Sequence, residues 1–71
     1  MKRSITIDGH RTSISVEAPF WEGLGEIARA SDRSVAGLIG EIDRGRDGPN
    51  LSAAIRVFVL AWYRERSGRA P

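Results

Sequence analysis

Arg11-Thr12-Ser13-Ile14-Ser15-Val16 is the stretch that decides the fold. Drawn out as a strand, it puts Arg11, Ser13 and Ser15 on one side and Thr12, Ile14 and Val16 on the other, because a strand has a side-chain period of two. One side is a row of small hydrogen-bonding groups led by an arginine. The other is a face that packs against helices.

Upstream, residues 2–7 alternate in the same way, with Ile5 and Ile7 apolar and Ser4 and Thr6 polar. Asp8-Gly9 lies between the two runs. Both central residues of a type I′ turn need positive φ, which Asp-Gly supplies, so the pair predicts a hairpin. A two-residue turn sets Ile7 opposite His10, Thr6 opposite Arg11, Ile5 opposite Thr12 and Ser4 opposite Ser13. One face then collects Ile5, Ile7, Thr12, Ile14 and Val16. The other collects Lys2, Ser4, Thr6, Arg11, Ser13 and Ser15. A slip of one residue would destroy that sorting. The strands are predicted at about 2–7 and 11–16.

Downstream the period changes. Glu17-Ala18-Pro19 marks a helix start, with proline in the first turn and acids near the positive end of the dipole. Phe20, Leu24, Ile27 and Ala28 form one helical stripe, with Trp21 beside it, over about 18–31. Gly23 and Gly25 each weaken this helix by roughly 1 kcal/mol relative to alanine. After Ser31-Asp32-Arg33, Ser34 caps a second helix carrying Val35, Leu38, Ile39 and Ile42, which ends near Arg44. Residues 45–50 read as a loop. Asn50 or Ser52 caps a third helix over about 51–66. Leu51, Ile55, Phe58 and Trp62 form its main stripe, and Val57, Val59, Leu60 and Ala61 nearly close the circle. A helix apolar almost all round is buried on more than one side, which points to a partner chain. The fold class is α+β and mostly α: an N-terminal hairpin followed by three helices, as a single domain over 1–66 with a frayed basic tail at 67–71.

The totals narrow the function. Seventy-one residues without cysteine and with one histidine, His10, hold no disulfide, thiolate or histidine-cluster metal site. A chain this short buries little apolar surface, so oligomerisation is the expected source of the missing burial. No run approaches a membrane span, and Met1-Lys2-Arg3-Ser4-Ile5-Thr6 lacks the apolar region of a secretory signal, so a cytoplasmic protein is expected. The net charge of +2 divides as +2 over residues 1–16, −3 over 17–50 and +3 over 51–71. Positive charge beside a polar strand suits nucleic acid better than the total does.

Strand, helix, short turn and helix, with a Ser/Thr-rich strand beside an arginine, resembles the ribbon-helix-helix family of bacterial DNA-binding proteins over about residues 11–44. Lys2-Arg3-Ser4-Ile5-Thr6-Ile7, Gly9-His10-Arg11-Thr12-Ser13-Ile14-Ser15, Phe20-Trp21, Glu41-Ile42-Asp43 and residues 50–60 (NLSAAIRVFVL) resemble a small bacterial subgroup with an extra N-terminal strand and a C-terminal helix. The resemblance implies an intertwined homodimer whose antiparallel ribbon enters the major groove of double-stranded DNA; whether dimers join into a higher oligomer through the third helix is left open by the sequence. It implies base reading by Arg11, Ser13 and Ser15. Arginine can bond guanine O6 and N7, and a serine hydroxyl donates or accepts. It implies a phosphate clamp at the second helix through the Ser34 and Val35 N–H groups, with Lys2, Arg3 and Arg33 as further phosphate contacts. Two features depart from the family pattern. The turn between the first two helices carries Asp32-Arg33 where glycine is frequent, and the extra strand leaves Lys2, Ser4 and Thr6 as competitors for the base-reading row.

The function expected is therefore a sequence-specific DNA-binding homodimer that regulates transcription. The alternatives are a protein-interaction module and an antitoxin-like autorepressor. An enzyme is not expected, for want of a nucleophile–base pair, and neither is a cofactor, a small-molecule substrate or a membrane. Plainer readings stand beside these: a Ser/Thr row as a solvated sheet face, Arg11 as a solubilising residue, Ser34 as a cap alone, and Trp21, Trp62 and Tyr63 as core or interface.

Overall fold

The computed structural model of the chain describes residues 1–46 and 48–67. Strand β1 (Lys2–Ile7) and strand β2 (His10–Ser15) form an antiparallel hairpin; helices α1 (Ala18–Ala30), α2 (Val35–Gly45) and α3 (Leu51–Arg66) follow. The fold class read from the sequence is the one found. The tail expected at 67–71 lies outside the described residues from 68 on, as does Asp47 in the loop.

The hairpin turns where Asp-Gly demands it. Asp8 has φ 51° and Gly9 φ 83°, the two positive values of a type I′ turn. The register is Ile7↔His10, Thr6↔Arg11, Ile5↔Thr12, Ser4↔Ser13, Arg3↔Ile14 and Lys2↔Ser15. Beyond the strands, the Met1 and Val16 backbones exchange bonds at 3.0 and 3.2 Å, and Trp21 Nε1 donates to the Met1 carbonyl at 3.0 Å. The arginine of Arg44 meets the Asp8 carboxylate at 3.3 Å, joining the end of α2 to the turn.

The inward face of the hairpin supplies Ile7, Ile14 and Val16 to a core completed by Trp21, Leu24, Ile27, Ala28, Leu38, Ile39, Ile42, Ile55 and Val59. The stripe of α2 enters the core as expected, but α1 buries Trp21 in place of the half-buried Phe20. Helix α3 buries Ile55 and Val59, while Leu51, Phe58 and Trp62 of its expected stripe are half-buried. Because α3 is apolar almost all round, its packing, not its periodicity, selects the face. Ser34 caps α2 by accepting from the Gly37 N–H at 3.0 Å, and Asn50 caps α3 by accepting from Ala53 at 3.0 Å. Between α1 and α2 the chain reverses through Asp32 at φ 58°. Asp is one of the few non-glycine residues that enters this left-handed region readily, so the missing glycine does not prevent the turn. Helix α3 is covered on one side only: Val57 and Leu60 are 67% and 56% exposed.

Candidate nucleic-acid interface

The outward face of the hairpin is built by alternation alone. Lys2, Ser4, Thr6, Arg11, Ser13 and Ser15 are all exposed, while Ile7, Ile14 and Val16 behind them are buried. The register places them in three facing pairs, Lys2 with Ser15, Ser4 with Ser13 and Thr6 with Arg11. The result is a flat patch of hydroxyls with a cation at each of two corners.

The same residues occupy a second special position. In an antiparallel ladder, pairs that exchange backbone bonds alternate with pairs that do not. Met1 and Val16 exchange bonds, so Arg3↔Ile14, Ile5↔Thr12 and Ile7↔His10 do also. Arg11, Ser13 and Ser15 fall in the other class, so their N–H and C=O groups point off the free edge of β2. Lys2, Ser4 and Thr6 do the same off β1. Among the described residues each edge is unpaired and is a template for a further strand.

The other site residues named from sequence are not all on this patch. Lys2 is. Arg3 is on the opposite side of β1, with its guanidinium 5.1 Å from the Trp21 ring centroid and a contact to Met1 Sδ at 3.5 Å. That is a cation–π arrangement at the flank of the sheet. Arg33, Ser34 and Val35 sit together at the start of α2, apart from the strand face. The Ser34 hydroxyl accepts from Gly37, which leaves its O–H to donate. The Val35 and Ala36 N–H groups are among those a helix cannot pair internally. Val35 is half-buried, so only its backbone is offered outward.

Arg33 has a partner that the sequence did not disclose. Its guanidinium grips both oxygens of Glu41, one at 2.6 Å. The pairing holds the Glu41 carboxyl below the usual carboxylate range and raises the guanidinium, in each case chiefly through the side-chain hydrogen bond. Arg33 lies two residues before α2 and Glu41 two turns along it, beyond the three- or four-residue spacing at which neighbouring helical side chains pair, so pattern reading misses them. The Arg56–Glu17 pair, at 2.9 Å, is similar: it ties α3 to the strand–helix junction and lowers the Glu17 carboxyl. Among the described residues no group of His, Cys, Asp or Glu could hold a metal, and no helix is long and apolar enough to cross a membrane.

A ribbon-helix-helix domain profile matches residues 1–63. The chain belongs to the ribbon-helix-helix family. That family is generally one of DNA-binding, non-enzymatic transcription regulators, and its domains typically dimerise. The match takes in β1 and most of α3, so both additions to the strand-helix-helix core lie within the ribbon-helix-helix domain. No curated protein and no solved structure shows significant similarity to the chain.

Proposed function

We propose that this ribbon-helix-helix chain is a bacterial, cytoplasmic transcription regulator that binds double-stranded DNA as a homodimer. The observation that carries the reading is the hairpin's outward face, where every side chain is polar or basic and exposed while Ile7, Ile14 and Val16 on the reverse face enter the core. Two copies join β2 to β2, and the sheet enters the major groove. Strand β2 is the one on the axis because only Val16 and Glu17 separate it from α1, so its position is rigidly coupled to the helical body. Arg11, Ser13 and Ser15 then read base edges.

Lys2, on the outer strand, reaches the groove wall, and Arg3 contacts a phosphate from the flank of the sheet. The start of α2 holds another through the Ser34 hydroxyl, the Val35 N–H and Arg33, which trades Glu41 for the phosphate. Residues 1–66 act as the single domain, with the tail from 67 outside it.

The test is Arg11→Ala, with binding measured on duplexes selected from a random library across a salt series. Loss of one bidentate base contact costs about 1–3 kcal/mol at the preferred site and relaxes preference at one position. Lys2→Ala instead weakens all sequences alike and lowers the salt slope by about 1. An Arg11→Ala dimer with intact circular dichroism and unaltered binding would refute the strand assignment. If the parent chain shows no steep salt-dependent binding, the sheet is not a DNA surface and the protein-interaction reading, favoured by the exposed Val57 and Leu60, takes its place.

A further inference from the structure

We propose that the outer face of α3 is a contact between two copies of this chain, packed as an antiparallel helix pair with Val57 on the two-fold axis. The proposal stands apart from DNA binding. It starts from the apolar residues that the single chain leaves open: Val57 and Leu60 are 67% and 56% exposed, and Ala53 and Ala61 beside them are exposed too. Patches of this kind mark interaction sites when they are contiguous.

The order of sizes along the patch identifies the occupant. Counting outward from Val57, Ala53 and Ala61 are equidistant, and so are Ala54 and Leu60. An antiparallel pair centred on residue 57 therefore sets alanine against alanine, which allows close approach, and leucine against alanine, which sets a large side chain against a small one. A contact made by identical patches must be self-complementary in this sense. Farther out, Asn50 faces Arg64 of the partner subunit, an amide against a cation rather than two like charges.

The receiving surface is present. A groove of about 680 Å³ runs between the end of α2 and α3, with Ile42, Gly45, Ala54 and Phe58 among its walls. Leu60 lies outside the groove of its own chain, while Ala54, its counterpart across the axis, lines it. The partner's Leu60 thus enters beside Ala54. The groove also carries Glu41 and Arg46, one charge of each sign. Each is answered within its own chain, Glu41 by Arg33 and Arg46 by Asp43 at 2.6 Å, so the groove calls for no counter-charge and suits an apolar occupant such as the outer face of the second α3. One helix face falls short of the roughly 800 Å² per partner of a stand-alone interface. The contact therefore adds to another one, for which the open edge of β2 is available.

The test uses the absence of cysteine from the chain. Val57→Cys is expected to form a covalent dimer with a short bismaleimide, because the two copies of residue 57 meet on the axis. Arg64→Cys is not, because its copies stand roughly 21 Å apart along the helix at 1.5 Å per residue. Leu60→Glu, an exposed position, should keep the circular dichroism of the parent and lower the mass seen by sedimentation. The swap Ala54→Leu with Leu60→Ala should restore that mass, since it exchanges knob and hole. Equal crosslinking at 57 and 64, no crosslinking at 57, or an unchanged mass for Leu60→Glu overturns the proposal. So does a parent chain that sediments as a monomer, which would leave the groove to a different protein.

Discussion

Gly23 and Gly25 lie two residues apart on α1, and replacing each with alanine should change stability in opposite directions. Alanine in a helix interior is worth about 1 kcal/mol over glycine. A Cβ on Gly25 would meet nothing within 4 Å, so Gly25→Ala should realise the gain and raise Tm by about 4–8 °C for a chain of this size. A Cβ on Gly23 would stand 2.9 Å from Val59 Cγ1 and 3.4 Å from the Tyr63 ring. Val59 is 5% exposed and β-branched, with one favoured rotamer in a helix, so it cannot swing aside. Overpacking of a tight core costs about 1–3 kcal/mol. The propensity gain offsets part of it, and Gly23→Ala should lose up to about 2 kcal/mol net. Urea melts at one fixed protein concentration measure both, so that the proposed pairing of two copies contributes equally to every melt. Val59→Ala carries its own cavity cost, but Gly23→Ala should cost less in that background than in the parent, a coupling that a double-mutant cycle isolates. If Gly23→Ala stabilises as much as Gly25→Ala, α1 and α3 do not pack as described.

At the turn between α1 and α2, Asp32→Gly should stabilise by at most about 1 kcal/mol, and Asp32→Val should cost about 1–2 kcal/mol, since a β-branched residue resists positive φ; thermal melts decide. Acid should weaken the fold through Glu17 and Glu41, whose folded carboxyls titrate below their ordinary range because of Arg56 and Arg33. The stability they add is complete above the unfolded pKa and disappears as pH falls from about 4 through the folded values. A Glu17→Gln, Glu41→Gln chain should show a flatter decline in urea midpoint between neutral and acid pH. Tyr63 works in the opposite sense. Its phenol donates to Glu26, which raises its pKa, so its contribution is complete below the unfolded value near about 10 and is lost as pH rises. Tyr63→Phe should remove that alkaline dependence, read from the same melts.

The turn and register of the hairpin were legible to the residue because their signals are local, although β2 runs over His10–Ser15, one residue earlier than the expected 11–16. Asp8-Gly9 sets the turn, the turn sets the register, and the register sorts every side chain by face. The helices were legible to within a residue or two because each carries one stripe and a recognisable cap. What pattern reading missed depends on distances across the fold. Arg3 alternates with the apolar side of β1, yet only the placement of Trp21 beside it shows where its charge rests. Arg33 reads as a free cation until α2 brings Glu41 up to it. The near-continuous apolar circumference of α3 pointed to burial on more than one side, and a single chain covers one.

The alternation of the ladder gives Arg11, Ser13 and Ser15 two independent uses. Their side chains project from the exposed face, and their backbones project from the open edge. Strand addition uses N–H and C=O groups, which are the same for every residue except proline. Exposed side chains contribute nothing to the core behind them. Sequence at these positions can therefore vary widely while edge and core stay intact. On the proposed reading, a lineage of such proteins can change what the face recognises at little cost to the core, and proline, which removes an N–H, is the substitution that would damage edge and face together.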